Sequence, residues 1–156
     1  MTRMCFIFDL DGTLADDSHR QHHMHAGDWD NYFALCEQDP LIGHIAACAN
    51  ALHAFGFRLI VISGRNEDVR EETERWLERH LLCSFDHIYL RRTGDYRANS
   101  VVKLEALAEL RALGYEPLMV FDDQPQVCAT WRAAGVPCAQ VKGVEEFVEK
   151  LQGGGK

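Results

Sequence analysis

Cys5-Phe6-Ile7-Phe8-Asp9-Leu10-Asp11-Gly12-Thr13-Leu14 is an apolar run that stops abruptly at two carboxylates spaced i, i+2, with a glycine directly behind them. In an extended strand, residues two apart point to the same side. Asp9 and Asp11 are therefore expected to face one point just beyond the end of a buried strand. Two carboxylates aimed at one point repel each other, so a divalent cation or a shared proton is implied between them. Gly12 allows the sharp backbone departure that such a loop needs. Asp and Gly also end ordinary strands at turns, so the rest of the chain has to decide between these readings.

A second apolar run, Phe57-Arg58-Leu59-Ile60-Val61-Ile62, ends in Ser63-Gly64-Arg65. A hydroxyl, a flexible glycine and a guanidinium at a strand end suit an oxyanion, which takes backbone N–H groups, a side-chain donor and a bidentate cation. Asn66 is placed to cap a helix that continues through Trp76-Leu77, and the N-terminus of that helix would favour a bound phosphate. Lys103 opens a helical stretch with apolar Leu104, Leu107, Ala108 and Leu110. A third run, Leu118-Met119-Val120-Phe121, stops at Asp122-Asp123. Polar chemistry of matching kind thus closes three successive strands, and ligands of open α/β sheets bind at the carboxyl ends of strands. Each of these residues also has a plainer use. Lys103 could be a solvated lysine, Arg65 a partner of Glu67 or Asp68, and Asp122-Asp123 a cap for a helix beginning near Pro125.

The order Asp-x-Asp-Gly-Thr, Ser-Gly-Arg, Lys, Asp-Asp resembles the haloacid dehalogenase (HAD) superfamily of aspartate-nucleophile phosphatases, over residues from about 4 to about 141. A narrower likeness lies in Gly94-Asp95-Tyr96-Arg97-Ala98-Asn99-Ser100-Val101-Val102-Lys103, followed by Phe121-Asp122-Asp123-Gln124-Pro125-Gln126-Val127 and Trp131-Arg132. This pattern is similar to the 3′-phosphatase domain of bacteriophage polynucleotide kinase–phosphatase. The sequence contains no Gly-x-x-x-x-Gly-Lys-Ser/Thr run, so the kinase half of that enzyme has no counterpart here. A stand-alone phosphatase module is expected.

The resemblance implies a mechanism. Asp9 is the expected nucleophile, becoming an aspartyl-phosphate that splits a slow hydrolysis into two easier steps. Asp11 is expected to protonate the leaving oxygen and then to activate the water that cleaves the intermediate. A Mg²⁺ ion is expected between Asp9, the backbone carbonyl of Asp11, and Asp122, with Asp123 supporting the metal or its waters. Thr13, Ser63 and Gly64 are expected to hold phosphate oxygens, and Lys103 to neutralise Asp9 and the phosphate. Arg65 departs from the broad superfamily but matches the polynucleotide phosphatase group, where it is expected to grip the substrate. Arg91 and Arg97 lie in the loop before Lys103 and are expected to meet phosphates beside the scissile one. The plainer alternative is a solvated loop in which Arg97 bridges to Asp95.

A chain of 156 residues with 47% hydrophobic content suits one domain with one sizeable core. No apolar run is long enough for a membrane span, and with the first strand starting so early no secretory signal is expected. The six cysteines form no CxxC pair and most lie in apolar surroundings. Free thiols in a reducing cytoplasm are expected rather than disulfides or zinc. The net charge of −8 argues against a broad electrostatic grip on a duplex. Recognition of a nucleotide or a strand end is expected instead.

The pattern predicts strands at 4–9, 57–62, 87–90, 118–122 and 137–141. It predicts helices at 41–55, 66–80, 100–113, 125–134 and 144–151. Gly56, Gly114 and Gly135 fall where helices should stop. Alternation of strands and helices implies a three-layer α/β/α, Rossmann-like HAD fold around a parallel sheet. It would form a single domain over 1–151, with a flexible tail at 152–156. Residues 15–40 interrupt the rhythm and, by the resemblance, form a small cap over the site. That segment holds His19, His22, His23 and His25, whose spacing matches no common transition-metal site, so a solvated or substrate-facing row is expected. Trp29, Tyr32 and Phe33 are expected to pack the cap, with base stacking by Trp29 or Tyr32 as the alternative.

Three functions compete. The first is a Mg²⁺-dependent 3′-phosphatase of nucleic-acid ends, acting in end repair. The second is a nucleotidase for free nucleoside or deoxynucleoside monophosphates. The third is a non-enzymatic module; a receiver is disfavoured because Asp-x-Asp comes first in the chain and Asp-Asp last, and a phosphate-binding module because every expected catalytic group is present.

Overall fold

Alternation along the strands separates two apolar faces. In the computed structural model, which describes residues 1–141, Phe8, Leu59 and Val61 point to one side of the sheet. Cys5, Ile7, Ile60, Ile62 and Val120 point to the other. This two-residue period is what a sheet buried on both sides requires. The strands are β1 (Arg3–Phe8), β2 (Arg58–Asn66), β3 (His87–Arg91), β4 (Tyr115–Asp122) and β5 (Cys138–Gln140). All pairs are parallel, in the order β3-β2-β1-β4-β5.

Residues 15–40 carry two short helices, α1 (Gln21–His25) and α2 (Trp29–Ala34). The longer helices are α3 (Gly43–Ala54), α4 (Arg70–His80), α5 (Asn99–Ala112) and α6 (Pro125–Ala133). Ile45, Ala46 and Ala49 of α3 join Trp76 and Leu77 of α4 on one face. Ala106, Leu107 and Leu110 of α5 join Val127 and Trp131 of α6 on the other. The result is the expected three-layer α/β/α fold. Trp76 and Trp131 are buried almost completely, one in each layer, and burial of side chains this large stabilises the fold by roughly 3 kcal/mol each. Gly56, Gly114 and Gly135 follow helix ends with positive φ, as expected of residues that stop helices.

Two strand boundaries differ from expectation. β2 does not end at Ile62 but runs on to Asn66, where it pairs with Arg91 after an irregularity in the register. Asn66 caps as expected, its side chain accepting from Asp68 N at 3.1 Å. What it opens is a 3₁₀ turn, Glu67–Val69, ahead of α4. β4 begins at Tyr115 rather than 118. Pro117 is tolerated because the register shifts there, Cys5 facing Pro117 and Phe6 facing Met119, and proline in a sheet is confined to such irregularities.

The expected helix at 144–151 and the tail at 152–156 lie outside the described residues. No helix of the described residues is long and apolar enough to cross a membrane. Of the six cysteines, all are free; Cys5, Cys36 and Cys128 are buried, but Cys48 on α3 is exposed.

Candidate active site

β1 and β4 lie side by side, with Phe8 opposite Phe121 and their rings stacked at 4.6 Å. The pairing continues one step further, Asp9 N donating to Phe121 O at 3.0 Å. Asp9 and Asp122 are thus delivered to the same end of the sheet, and α5 brings Lys103 between them. Lys103 Nζ is 3.0 Å from Asp9 Oδ1 and 2.6 Å from Asp122 Oδ2. All three side chains are buried. Asp122 is further held by Trp131 Nε1 at 3.3 Å and by Gln124 N at 3.2 Å. Lys103 is therefore no solvated lysine. Burial works against its charge, but Asp9 and Asp122 outweigh burial and raise its pKa above the usual lysine range.

The chain leaves β1 in a tight turn, with the amides of Thr13, Leu14 and Ala15 all turned to Leu10 O at 2.9 Å. Gly12 has φ +80°, and a Cβ there would lie 2.6 Å from Asp123 Cγ. A glycine is required both by conformation and by the close approach of Asp123.

Asp11 occupies a different electrostatic setting from Asp9. Its Oδ1 accepts from Arg65 Nε at 2.9 Å, Arg65 Nη2 at 2.7 Å and Arg20 Nη2 at 2.5 Å. Both arginines also grip buried Asp39, Arg20 Nη2 at 2.6 Å and Arg65 Nη2 at 2.8 Å from Oδ2. Burial pushes the Asp11 pKa up, but the two guanidinium groups prevail and hold it below the ordinary carboxylate value. Asp9 moves the other way. Burial and then the carboxylates of Asp122, Asp123 and Asp11 raise its pKa well above the ordinary value, against the pull of Lys103.

Several expectations need correction here. Arg65 is completely buried behind Asp11 and its donors are taken by Asp11, Asp39 and Thr73, so it does not present the open guanidinium that was expected. It pairs with neither Glu67 nor Asp68. Thr13 is completely buried, does not line the cavity, and its hydroxyl has no partner among the described residues. Arg97 is tied to Asp95 at 2.7 Å and to Glu105 at 2.6 Å, the plainer alternative with a second carboxylate added. Arg91 donates to the carbonyls of Asp95 and Arg97, at 3.0 and 2.6 Å, and to Asn99 Oδ1. It lines the cavity with Asp9 and Asp11, with its guanidinium shared among the loop before α5.

Ser63 and Gly64 do line the cavity, together with Asp9, Asp11, Lys103 and Asp123. A Cβ on Gly64 would lie 2.6 Å from Asn99 Oδ1, so a larger residue there would displace the Asn99 amide. The cavity measures about 740 Å³, within the ~300–1,000 Å³ range of small-molecule sites. Met24, Trp29, Tyr32 and Phe33 of residues 15–40 form part of its wall, and Gly94, Tyr96 and Arg97 another part.

Residues 15–40 leave and return at one place, Asp16 N bonding Pro40 O at 2.9 Å and Ile42 N bonding Leu14 O at 2.8 Å. Within them the expected aromatic core holds only in part. Tyr32 is buried, its hydroxyl donating to Asp17 at 2.6 Å, whereas Trp29 is half exposed. The rings of His22 and His23 lie 4.0 Å apart, but among the described residues the histidines join no metal-ligating group. His19 reaches Asp39 at 2.8 Å and His23 reaches Asp28 at 3.2 Å.

The carboxylates fit a hard divalent cation. Among the described residues, Asp9, Asp122 and Asp123 offer oxygens within 4.8 Å of one another. Asp123 Oδ1 is buried without a hydrogen-bond partner among the described residues. Three carboxylates against one lysine leave an excess of negative charge. Burial, with Asp122 beside it, pushes the Asp123 pKa up to about 6, the response of a site that lacks positive charge. The Asp11 carboxylate is outside this group, so any contact from Asp11 would come from its backbone carbonyl, as the resemblance implies.

Arg20, Asp39 and Asp17 are the residues at this site that sequence reasoning missed. Arg20 and Asp39 sit in the polar insertion, where nothing in local pattern distinguishes them from surface charges.

The family model of the polynucleotide kinase PNKP phosphatase domain matches residues 3–145. A provisionally named bifunctional polynucleotide kinase/RNA ligase of Autographa californica nuclear polyhedrosis virus is 26% identical over 84% of this chain and 18% of its own length. A chain of the Pnkp1/Rnl/Hen1 RNA repair complex superposes with TM-score 0.79 at 30% identity, over 90% of this chain and 42% of that one. The chain thus spans less than half the length of either relative. The class C acid phosphatase of Bacillus anthracis, with tungstate bound, shares the fold at TM-score 0.64 and 17% identity, over 91% of this chain and 67% of that one. A match that runs almost the whole described length, on a fold that gathers its motif residues at one strand end, places the chain in the polynucleotide kinase PNKP phosphatase domain family of HAD-type phosphatases.

Proposed function

We propose that this chain is a Mg²⁺-dependent phosphomonoesterase that removes 3′-phosphates from nucleic-acid ends through an aspartyl-phosphate on Asp9. The observation that carries this is the opposed setting of two carboxylates on one cavity. Asp9 is tied to Lys103 inside a carboxylate cluster, and Asp11 is held by two guanidinium groups. Such pairs divide nucleophile from acid–base work.

In the first step an oxygen of Asp9 attacks phosphorus and the P–O bond to the ribose 3′-oxygen breaks. Asp11 delivers a proton to that oxygen. Arg20 and Arg65 keep Asp11 ionised until the phosphate dianion arrives beside it, and that added negative charge favours proton uptake. In the second step Asp11, again a carboxylate, takes a proton from water as the water attacks the phosphorus of the acyl-phosphate. Asp9 is regenerated and inorganic phosphate leaves. Lys103 holds Asp9 in place and offsets charge on the phosphoryl oxygens, while Ser63 and the Gly64 amide face those oxygens. Asp9, Asp122 and Asp123, with the Asp11 carbonyl, would hold Mg²⁺, which when bound supplies the positive charge that lets an anionic nucleophile approach an anionic phosphate.

Family membership supports a nucleic-acid end as substrate, and the RNA repair complex in which one relative occurs extends that to RNA. We assign the protein to the cytoplasm, where its free thiols stay reduced. A nucleotidase is the second reading. It is favoured by the acidic wall, with Asp17, Asp28, Asp30 and Asp95 facing the cavity, which suits a short ester better than a long polyanion. Phosphate release with Mg²⁺ from a 3′-phosphorylated oligonucleotide, its 5′-phosphorylated twin and the matching mononucleotides separates the two. Preference for the 3′-oligomer is expected. Equal or faster turnover of mononucleotides would move the function to nucleotide hydrolysis.

A further inference from the structure

Two aromatic side chains stand out of place on the cavity wall. Trp29 is 50% exposed and Tyr96 is 96% exposed, and both line the cavity that holds Asp9 and Asp11. They come from different segments, Trp29 from α2 and Tyr96 from the turn after β3. Both are set on firm supports. The Trp29 ring packs on Phe33 at 6.1 Å and meets Tyr32 edge-on at 5.7 Å. Asp28 caps α2, accepting from Asn31 N at 3.3 Å. Tyr96 sits between Asp95 and Arg97, which are bonded to each other and, through their carbonyls, to Arg91.

Charge does not explain how a substrate is held beyond its phosphate. Arg65, Arg91 and Arg97 are engaged by groups of the protein itself. Asp17, Asp28, Asp30, Asp95 and Asp123 face the cavity. Affinity for the rest of the substrate must then come from something other than counter-charge. Exposed aromatic faces beside a phosphate site supply it by stacking, which holds nucleobases with little regard to sequence because every base has a π-face. Tyr32, the other candidate, is buried and its hydroxyl is taken by Asp17.

We propose that Trp29 and Tyr96 form a nucleobase subsite, the base of the phosphorylated terminal nucleotide stacking on the indole with Tyr96 bounding the same space. Resting on the phosphatase reading above, this narrows the substrate class to phosphate esters that carry a nucleobase, with weak preference among the bases.

The test compares kcat/KM within two pairs of esters. One pair is a 3′-phosphorylated oligonucleotide and the same oligomer with a stable abasic 3′-terminal residue. The other is a nucleoside 3′-monophosphate and ribose 3-phosphate. The wild type is expected to prefer the base-bearing member of each pair. Trp29→Ala should shrink that preference roughly five- to a hundred-fold, Tyr96→Ala should shrink it less, and Trp29→Phe should restore most of it. If Trp29→Ala does not fold, Tyr96→Ala carries the test, since an almost fully exposed ring contributes little packing. The subsite is refuted if the wild type turns over both members alike, or if the preference survives both alanine variants. Inert oligomers with a Trp29-dependent preference among the small esters would overturn the end-acting function and uphold the subsite.

Discussion

Lys103 and Asp122 lie 2.6 Å apart, Nζ to Oδ2, with both side chains buried, and the same ammonium reaches Asp9 at 3.0 Å. One cation thus ties the strand end that carries Asp9, the proposed nucleophile, to the strand end that carries the metal-ligand candidates. Removing one partner of a buried ion pair leaves an uncompensated charge and costs about 3–5 kcal/mol. Lys103→Ala should lose that stability without metal, recover part of it with Mg²⁺, and lose at least a thousand-fold in kcat. Thermal unfolding with and without Mg²⁺, beside phosphate release, checks both halves. A metal-free variant as stable as the wild type would contradict the arrangement.

Arg20 and Arg65 both bond Asp11 Oδ1, and the proposed mechanism has them act on Asp11 and not on substrate. Arg20→Lys should therefore lower kcat roughly ten- to a hundred-fold with KM changed little, and shift the limb of the pH–rate profile assigned to Asp11 upward. The sign follows from the depressed pKa of Asp11. Its stabilising contribution is present above the unfolded carboxylate value of about 3.9 and is lost as pH falls through the lower folded value. The stability gap between wild type and Arg20→Lys should accordingly be wide at pH 7 and narrow in acid. A rise in KM with kcat unchanged would point instead to substrate contact.

How far these roles were legible beforehand depends on distance along the chain. Asp9, Ser63, Lys103 and Asp122 stand at or near strand and helix ends, where apolar runs stop and a charged residue has few structural uses. The fold was equally legible, since the strands alternate in character and the glycines mark helix ends. The burial of Arg65 was not legible, because residue type and place suit an oxyanion, whereas its pairing with Asp39 spans twenty-six residues. The hydrogen bond from Trp76 Nε1 to Asp39 O at 2.8 Å, which helps fix Asp39, leaves no trace in local pattern.

Gly12 and Gly114 separate strain from fit. Both have positive φ, +80° and +84°, but only at Gly12 would a Cβ meet another group, the Asp123 carboxylate. Each alanine substitution should cost about 1–2 kcal/mol from the left-handed backbone. Gly12→Ala should in addition displace Asp123 and weaken Mg²⁺ at least ten-fold, while Gly114→Ala leaves metal affinity alone. Metal titration of both variants decides; equal affinities would remove Asp123 from the metal site.

Mg²⁺ should stabilise the protein more at pH 7.5 than at pH 5. Burial and neighbouring carboxylates raise Asp9, and raise Asp123 to about 6. A raised carboxylate contributes stability that is full below its unfolded value of about 4 and is lost as pH rises through the folded value. The metal-free protein therefore weakens between about pH 4 and 6 in this cluster, and a cation, which competes with the protons, restores most where they have left. Melting temperatures with EDTA and with Mg²⁺ across that range give the answer. An increment independent of pH would count against metal binding at these carboxylates.

The central claim is that Asp9 takes the phosphoryl group from a 3′-end. Its most direct test is a rapid acid quench with an oligonucleotide carrying a ³²P-labelled 3′-phosphate. Protein-bound label that is stable in acid, released by hydroxylamine, mapped to Asp9 and absent from a folded Asp9→Asn variant is the predicted result. Label mapped to another residue, or turnover by purified Asp9→Asn close to that of the wild type, would contradict it.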